Sequence, residues 1–348
     1  MIDLRSDTVT KPTKAMLEAM MQANVGDDIL REDISVQELE SLGAKITGKE
    51  AGLFTVSGTM SNQIAVMAFT QRGEEVIAGA ESHIYNLEVG GLAALSQVQV
   101  KAISCPVGKI PLDTLNRNIR SAGVQNPRTG LLCLENTYNL NRGYAIPAEE
   151  IQVASDIAHQ YEVSVYMDGA RIFNAAEELQ TCVPTLCQSV DAVQFCLTKG
   201  LAAPFGAVLT GSAAFIEKAR WLKQRLGGGF RQAGYMAAAG TIALQTMQKQ
   251  IAEDNRKADF LAAKLQKIHP DLVVWDGSMT NIISLDFSGF SITDEVFLQG
   301  LLQKGIKIKS LNEKKYRIVC HKDISWDDLN YVETVIKHLL LRVDAAQI

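Results

Sequence analysis

The chain has 348 residues, of which 47% are hydrophobic and 21% charged, and its formal net charge is −5. A chain of this length exceeds the size at which one hydrophobic core usually keeps growing, so two domains are expected, and the composition excludes extended disorder. The basic residues form no stripe interleaved with aromatic residues, and the longest apolar runs are much shorter than the roughly 20 residues that cross a membrane. We therefore expect neither a nucleic-acid partner nor a membrane partner.

The cysteines, the histidines and the first residues of the chain exclude further classes. None of the six cysteines stands in a C-x-x-C pair, and the five histidines form no H-E-x-x-H motif. This pattern predicts reduced, mostly buried thiols and no metal site. The first residues contain no apolar signal segment, which favours a cytoplasmic location.

The first two thirds of the chain predict a helix followed by alternating strands and helices. The helix is predicted at residues 14–22, and from about 36 to 245 helix-length segments alternate with short runs rich in Val, Ile and Leu. We interpret seven of these runs as strands, at 51–56, 76–78, 98–103, 131–135, 163–168, 192–197 and 207–210. Residues 147–161, between two of them, carry an apolar stripe at three- and four-residue steps and predict a flanking helix. Strands that are apolar almost throughout are typical of a mostly parallel α/β sheet, whose ligand site lies at the carboxyl ends of the strands.

The pattern changes near His269. A helical stretch at about 232–268 is followed by predicted strands at 272–275, 281–286, 306–309 and 316–319, which alternate with helices at 294–304 and 326–341. We interpret residues 1–248 as a large cofactor-binding domain with the seven-stranded sheet, and residues 249–348 as a smaller C-terminal α/β domain. The helix at 14–22 is expected to pack with the small domain.

The segment Ser57-Gly58-Thr59 joins the first strand of the large sheet to a helix. The free N–H groups of a first helical turn, the hydroxyl groups and the helix dipole together favour a bound phosphate. Taken alone, the same three residues also fit an ordinary helix cap.

Two further segments place ionisable residues at the ends of buried strands. Asp168 ends one strand, where a carboxylate is costly unless a cation faces it; a pyridinium nitrogen would be such a cation, and a helix-capping Asp is the alternative. Lys199 follows another strand with apolar residues on both sides. This indicates a buried amine suited to forming a Schiff base, although a surface lysine is the common alternative.

Two arginines stand in positions that suggest anion binding. Arg231 follows three glycines, so a flexible turn could bring it to a phosphate or a carboxylate. Arg317 lies within an apolar strand, where a buried carboxylate partner explains it better than solvent does.

Together these segments resemble the low-specificity L-threonine aldolases, which are pyridoxal-phosphate enzymes of the aspartate-aminotransferase-like fold. The resemblance spans nearly the whole chain. Its most specific stretches are Asp3-Leu4-Arg5-Ser6-Asp7-Thr8-Val9-Thr10, Ser57-Gly58-Thr59-Met60, Ser82-His83-Ile84, Asp168-Gly169-Ala170-Arg171, Leu197-Thr198-Lys199-Gly200 and Gly227-Gly228-Gly229-Phe230-Arg231-Gln232.

The resemblance implies a role for each matching residue. Lys199 would carry pyridoxal 5'-phosphate as a Schiff base, Asp168 would pair with the pyridine nitrogen, and His83 would stack on the ring. The phosphate would be held by Ser57, Gly58, Thr59 and Arg231, the arginine coming from a neighbouring subunit. Ser6, Arg171 and Arg317 would bind the substrate carboxylate, and Arg171 is also expected at the cofactor. The implied reaction is retro-aldol cleavage of L-threonine or L-allo-threonine, small β-hydroxy amino acids, to glycine and acetaldehyde. The implied assembly is a homotetramer built as a dimer of dimers.

Four positions depart from the family pattern, and they fall where the family handles the substituent at Cβ. Leu30 replaces a tyrosine, Tyr138 and Gln125 replace histidines, and Gln224 replaces a lysine. Whether these changes alter the reaction, which group is the general base, and whether threonine or allo-threonine is preferred stay open. A related β-eliminating lyase, an amino-acid racemase and a non-catalytic protein that binds the cofactor are the alternatives.

Overall fold

The computed structural model describes residues 1–140, 142–274 and 280–345, and its central feature is a seven-stranded sheet. The strands of that sheet are β2 (Ala51–Thr55), β3 (Glu75–Gly79), β4 (Gln99–Ile103), β5 (Thr129–Glu135), β6 (Ser164–Asp168), β7 (Ala192–Cys196) and β8 (Ala207–Gly211). Short strands outside it are β1 (Ile2–Asp3), β9 (Ile282–Asp286), β10 (Ile306–Lys307), β11 (Lys309–Asn312) and β12 (Lys315–Val319). All seven strands predicted for the large sheet are present, and the prediction of an α/β fold is confirmed.

The large sheet has the order β2-β8-β7-β6-β5-β3-β4. Strand β8 is antiparallel to both of its neighbours, and the other pairs are parallel. Side chains on β3, β6, β7 and β8 are buried almost throughout, as expected of strands covered on both faces. The parallel strands therefore bring their carboxyl ends to one edge of the sheet.

Helices cover both faces of this sheet and build much of the C-terminal part. Their bounds are α1 (Lys14–Met21), α2 (Ile34–Thr47), α3 (Gly58–Phe69), α4 (His83–Asn86), α5 (Leu112–Asn118), α6 (Ala148–Gln160), α7 (Ile172–Glu178), α8 (Val183–Cys187), α9 (Ala213–Arg225), α10 (Gly234–Thr246), α11 (Gln248–Gln266), α12 (Asp294–Gln303) and α13 (Trp326–Ala345). In α6, the predicted stripe is buried at Ile151, Ala154 and Ala158. Within the described ranges, every helix is too short or too polar to cross a membrane.

The C-terminal part has a second hydrophobic core beneath an antiparallel sheet of order β11-β12-β9. The long predicted helix is divided at Met247 into α10 and α11. The strand predicted at 272–275 is a single turn of 3-10 helix at Pro270–Leu272 and one bridge from Val273 to Leu285; its last residue, Trp275, lies outside the described residues.

The N-terminal segment contacts both cores. Helix α1 packs against α10, and its buried Met16 belongs to the core of the large sheet. The expectation that this helix packs with the small domain is therefore wrong; β1 makes that contact instead, through parallel pairing with β10. Helix α11 contributes Ile251 to the first core and Leu261 to the second. The division into 1–248 and 249–348 stays a prediction.

Candidate active site

A cavity of about 140 Å³ lies at the carboxyl ends of β5, β6 and β7, beside the first turn of α3. This is the edge at which parallel α/β sheets bind ligands. The sequence-predicted residues that line it are Ser57, Gly58, Thr59, His83, Asp168, Arg171 and Lys199. The fold therefore brings together residues that are up to 142 positions apart, which is the separation of Ser57 from Lys199.

One end of the cavity is the first turn of α3. The Ser57 side chain caps this helix by accepting a hydrogen bond from the Met60 N–H at 3.2 Å. A Cβ atom on Gly58 would lie 2.7 Å from Cys196 Sγ, so glycine allows the helix to start directly against the end of β7. The free N–H groups and the dipole of the 12-residue helix make this end suitable for an anion.

Asp168 lies at the centre of the cavity wall with its carboxylate almost fully buried. Oδ1 accepts hydrogen bonds from Gln194 Nε2 at 2.5 Å and from the Ala170 N–H at 3.0 Å, and Oδ2 accepts one from Asn62 Nδ2 at 2.8 Å. These donors fix the orientation of the acid without neutralising its charge. A cation in the cavity would be its natural partner.

Lys199 reaches the cavity from the turn that follows β7, and it is half-buried. Its carbonyl group accepts hydrogen bonds from Thr10 Oγ1 at 3.0 Å and from the Ala202 N–H at 2.8 Å, which fix the turn. Burial raises the pKa of the adjacent Cys196 thiol, and the charge of Lys199 opposes that rise. No carboxylate of the described ranges forms an ion pair with Lys199, so its amine is available to a ligand.

His83 begins α4 and belongs to a buried hydrogen-bond network. Its Nδ1 lies 2.8 Å from Glu88 Oε1, and Asn62 Nδ2 donates to Glu88 Oε1 at 2.6 Å as well as to Asp168. Burial alone would lower the pKa of His83, but the hydrogen bond to Glu88 and the charge of Asp168 outweigh it, so the pKa is raised. Ligand atoms of His83, Glu88 and Asp168 lie within 4.8 Å of one another. Because the Asn62 amide donates to both carboxylates, we interpret this cluster as a hydrogen-bond network and not as a metal site.

Arg171 lines the other end of the cavity, and the buried Arg317 bonds the same lining residue, Asn139. Arg171 donates to both carboxylate oxygens of Asp7, at 2.8 and 2.7 Å. Arg171 Nη1 and Arg317 Nη1 also donate to the same oxygen of Asn139, at 3.1 and 2.8 Å. Burial would raise the pKa of Asp7, but the charge of Arg171 outweighs it and holds that pKa well below its usual range.

The sequence predicted a buried carboxylate partner for Arg317, and within the described residues its partners are neutral oxygen atoms instead. In the described part of the chain it donates to Asn139 and to the backbone carbonyl of Arg5, the latter at 3.5 Å, and its buried Nε has no partner. The nearby carboxylate of Asp7 is already bonded to Arg171 and Asn281. Burial and the charge of Arg171 lower the pKa of Arg317 to about 10. Within the described residues Arg317 therefore has no carboxylate partner, and its positive charge is left for an anionic ligand.

The wall of the cavity is completed by the last residue of β5, Glu135, and by Thr137, which follows the strand. Glu135 accepts hydrogen bonds from the backbone N–H groups of His83 at 2.5 Å and Asn139 at 2.8 Å, and burial together with the charge of Asp168 raises its pKa to about 7. Thr137 is 3% exposed, and its Oγ1 has no hydrogen-bond partner in the described residues. A buried hydroxyl group without a partner in a cavity wall is suited to contact a ligand.

Three predicted site residues do not line the cavity in the described part of the chain: Arg317, Ser6 and Arg231. Ser6 caps the 3-10 turn at Asp7–Val9 and therefore contacts the site through its neighbour Asp7. Arg231 is largely exposed and forms an ion pair with Asp27 at 2.9 Å. Its role at the phosphate stays a prediction.

The four positions that depart from the family pattern do not line this cavity within the described chain. Tyr138 is buried, packs against Gly79 and Gly108, and donates a hydrogen bond to Glu81 at 3.3 Å, so its hydroxyl group faces away from the site. Leu30, Gln125 and Gln224 are exposed.

Several residues that hold the site in place were not among the residues predicted from the sequence: Asp7, Asn62, Glu88, Glu135 and Asn139. A signal existed for two of them. Glu88 stands between the apolar residues Leu87 and Val89, and Asn62 lies in a helix whose second half is apolar. Buried polar groups in such surroundings need partners. The identity of those partners depends on long-range contacts.

Comparison with known proteins places the chain among lyases. The profile of the beta-eliminating lyase family matches residues 3–287. The chain is 39% identical to low-specificity L-threonine aldolase 1 of Arabidopsis thaliana, covering 98% of this chain and 96% of that protein. It is 36% identical to the low specificity L-threonine aldolase of Escherichia coli K12, covering 98% of this chain and all of the relative. Among solved structures, a putative L-allo-threonine aldolase from Listeria monocytogenes superposes with a TM-score of 0.81 at 21% identity, over 97% of this chain and 96% of that one.

Proposed function

The chain belongs to the beta-eliminating lyase family, and from this membership we propose that it binds pyridoxal 5'-phosphate and cleaves L-threonine or L-allo-threonine to glycine and acetaldehyde. The observation that carries this proposal is that Asp168 and Lys199 line one cavity whose end is the first turn of α3. An acid, an amine and an anion site are the three groups that a phosphorylated pyridine aldehyde needs.

The residues of the cavity fit this cofactor. The N-terminus of α3 suits the phosphate, the anchored carboxylate of Asp168 suits a protonated ring nitrogen, and the unpartnered Thr137 hydroxyl group offers a further polar contact. When bound, the cofactor supplies an electron sink for the electron pair released at Cα of the amino acid. Lys199 would hold it covalently through its amine.

The arginine end of the cavity would orient the substrate. Arg171 and Arg317 would bind the substrate carboxylate, with Asp7 and Asn139 holding the two guanidinium groups in place. By holding the carboxylate, the two arginines would fix the substrate and thereby select which bond at Cα is aligned for cleavage. The excess of positive charge at this end supports the assignment.

Cleavage also requires that a base take the proton of the β-hydroxyl group. His83 Nδ1 is engaged by Glu88, so Nε2 is the ring nitrogen that is free to accept this proton. We assign the base to His83 Nε2, because the residues that replace the other family bases lie away from this cavity.

The assembly and location follow from the resemblance. The proposed enzyme is a cytoplasmic homotetramer, a dimer of dimers, in which Arg231 of one subunit serves the phosphate site of its neighbour. Arg231 is largely exposed and is not among the described residues that line the cavity of its own chain, which supports this part of the proposal.

The test is a substrate screen with the protein loaded with pyridoxal phosphate. Equimolar glycine and acetaldehyde from L-threonine or L-allo-threonine are expected. Pyruvate from L-serine without aldol cleavage would indicate a β-eliminating lyase, and loss of optical activity of L-alanine alone would indicate a racemase. A spectral change on adding amino acids without any product would indicate a non-catalytic binding protein.

A further inference from the structure

Glu88 is buried beside the cavity, and neither the family match nor the sequence motifs give it a role. We propose that Glu88 is a positioning residue for His83: its carboxylate fixes the imidazole ring and its tautomer, so that Nε2 is the nitrogen presented to the substrate hydroxyl group. That Nε2 faces the substrate hydroxyl group rests on the proposed function, whereas the orientation and the tautomer of the ring do not.

The hydrogen bonds of Glu88 determine which ring nitrogen carries the proton. An ionised carboxylate can only accept hydrogen bonds, so His83 Nδ1, 2.8 Å from Oε1, must be the protonated nitrogen. Oε1 also accepts from Asn62 Nδ2 at 2.6 Å, and Oε2 accepts from Gln63 Nε2 at 2.6 Å. With the carboxylate held at both oxygens, the ring cannot turn over without losing its partner.

The orientation of the Asn62 amide is itself determined by its neighbours. Its oxygen accepts a hydrogen bond from the Tyr166 hydroxyl group at 2.6 Å, and its nitrogen donates to Asp168 at 2.8 Å as well as to Glu88. Both carboxylates need a donor, so the reversed amide would place an oxygen against two anions. The chain His83–Glu88–Asn62–Asp168 thus connects the two side chains expected on the ring of the cofactor and at its nitrogen.

His83 also offsets the cost of burying the negative charge of Glu88. The Glu88 side chain is 0% exposed, and within the described ranges its ion-pair partner is His83, with no lysine or arginine in reach. An isolated buried carboxylate is costly, and a partner of opposite charge offsets that cost. His83 is 27% exposed on its side chain and faces the cavity, so it is the member of the pair that ligands can reach.

The charges around His83 predict the direction in which its pKa changes when Glu88 is replaced. Burial lowers its pKa, while Glu88 and Asp168 raise it and Lys199 lowers it; Glu135 also interacts with the imidazole. Replacing Glu88 by the neutral Gln removes one of the two groups that raise the pKa. The pKa of His83 should therefore fall in Glu88→Gln.

The first experiment needs no catalysis. The full-length protein is labelled with 13C and 15N in histidine and studied by NMR, with and without pyridoxal phosphate, and the His83 signals are assigned by their loss in His83→Asn. In the wild type we expect the neutral ring to be protonated at Nδ1. In Glu88→Gln the pKa of His83 should fall by about one unit or more, and Glu88→Asp should restore part of the shift.

A matched control uses an exposed pair of the same kind. His159 Nε2 lies 3.0 Å from Asp191, and both side chains are about 40% exposed. Asp191→Asn should change the His159 signals and leave the pKa of His83 unchanged.

The second experiment measures kcat and KM for L-threonine as a function of pH. In Glu88→Gln the ascending limb of kcat/KM should move to lower pH, and kcat should fall by tenfold or more while KM changes less than threefold. An Nε2-protonated ring in the wild type, or an unchanged His83 pKa and pH profile in Glu88→Gln, would overturn the proposal. The wild-type tautomer decides the matter even if Glu88→Gln does not fold. A protein with the expected tautomer and shift that cleaves no threonine would instead contradict the proposed function and leave the role of Glu88 intact.

Discussion

The buried ion pair between Asp7 and Arg171 should make Asp7→Asn strongly destabilising. Both side chains are at most 3% exposed, and two hydrogen bonds of 2.7 and 2.8 Å join them. The variant would leave the buried guanidinium group of Arg171 without its carboxylate, beside the positive charge of Arg317. Removing one partner of a buried pair costs about 3–5 kcal/mol, which is a large part of the 5–15 kcal/mol that typically stabilises a folded protein.

Urea unfolding at pH 7, followed by circular dichroism and tryptophan fluorescence, measures this loss. The matched control is Asp3→Asn, because Asp3 pairs with the exposed Arg5 and such surface pairs contribute less than about 1 kcal/mol. The pKa of Asp7 is lowered in the folded state, so its stabilisation is present above the unfolded pKa of about 4 and is lost as the pH falls below it. The difference in the free energy of unfolding between the wild type and Asp7→Asn should therefore become smaller below pH 4. The reasoning would be refuted if Asp7→Asn lowered the free energy of unfolding by less than 1 kcal/mol at pH 7. It would also be refuted if the difference from the wild type stayed constant down to pH 2.

Three further substitutions test other parts of the molecule. Gly58→Ala places a Cβ 2.7 Å from Cys196 Sγ, so we expect at least tenfold weaker binding of pyridoxal phosphate by fluorescence titration and a loss of about 1–3 kcal/mol of stability. The control is Gly289→Ala, whose Cβ meets no atom of the described residues within 4 Å. Equal affinities of the two variants for pyridoxal phosphate would count against the α3 site. Burial raises the pKa of Asp254 to about 8, so the folded state holds a proton that the unfolded state releases, and this group should cost about 2 kcal/mol of stability between pH 6 and 8. Asp254→Asn should remove that decline in urea titrations, and an unchanged decline would show that Asp254 does not cause it. Tyr138→Phe should lower stability by about 1 kcal/mol through loss of its hydrogen bond and leave kcat/KM within about twofold, whereas a tenfold fall would place Tyr138 in the reaction.

The seven strands of the large sheet could be predicted because each contains a short run of apolar residues, and most of these runs are buried in the sheet. Strand β11 was missed because Lys309–Asn312 is a half-exposed edge strand in which three of the four residues are polar. The position of helix α1 was wrong for a different reason. Its burial against α10 depends on a tertiary contact between segments more than 200 residues apart, which no local pattern encodes.

In the candidate site, too, some residues could be predicted from a local sequence pattern and others depend on long-range contacts. Asp168 and Lys199 were predictable because an ionisable residue at the end of a buried strand is unusual and needs a reason. The supporting residues were not, because their roles exist only in pairs: Asn62 bonds Asp168 across 106 positions and Asp7 bonds Arg171 across 164. In the sequence these are ordinary polar residues. Their hydrogen-bond partners are distant in the chain and come into contact only in the folded structure.

The attachment of the cofactor to Lys199 is the central claim, and one measurement tests it most directly. The protein loaded with pyridoxal phosphate is reduced with borohydride, digested, and its peptides are mapped by mass spectrometry. We expect one pyridoxyl label per chain, on Lys199, and no label in Lys199→Ala under the same conditions. Stoichiometric label on any other lysine, or the same label in Lys199→Ala, would contradict the assignment of this cavity as the active site.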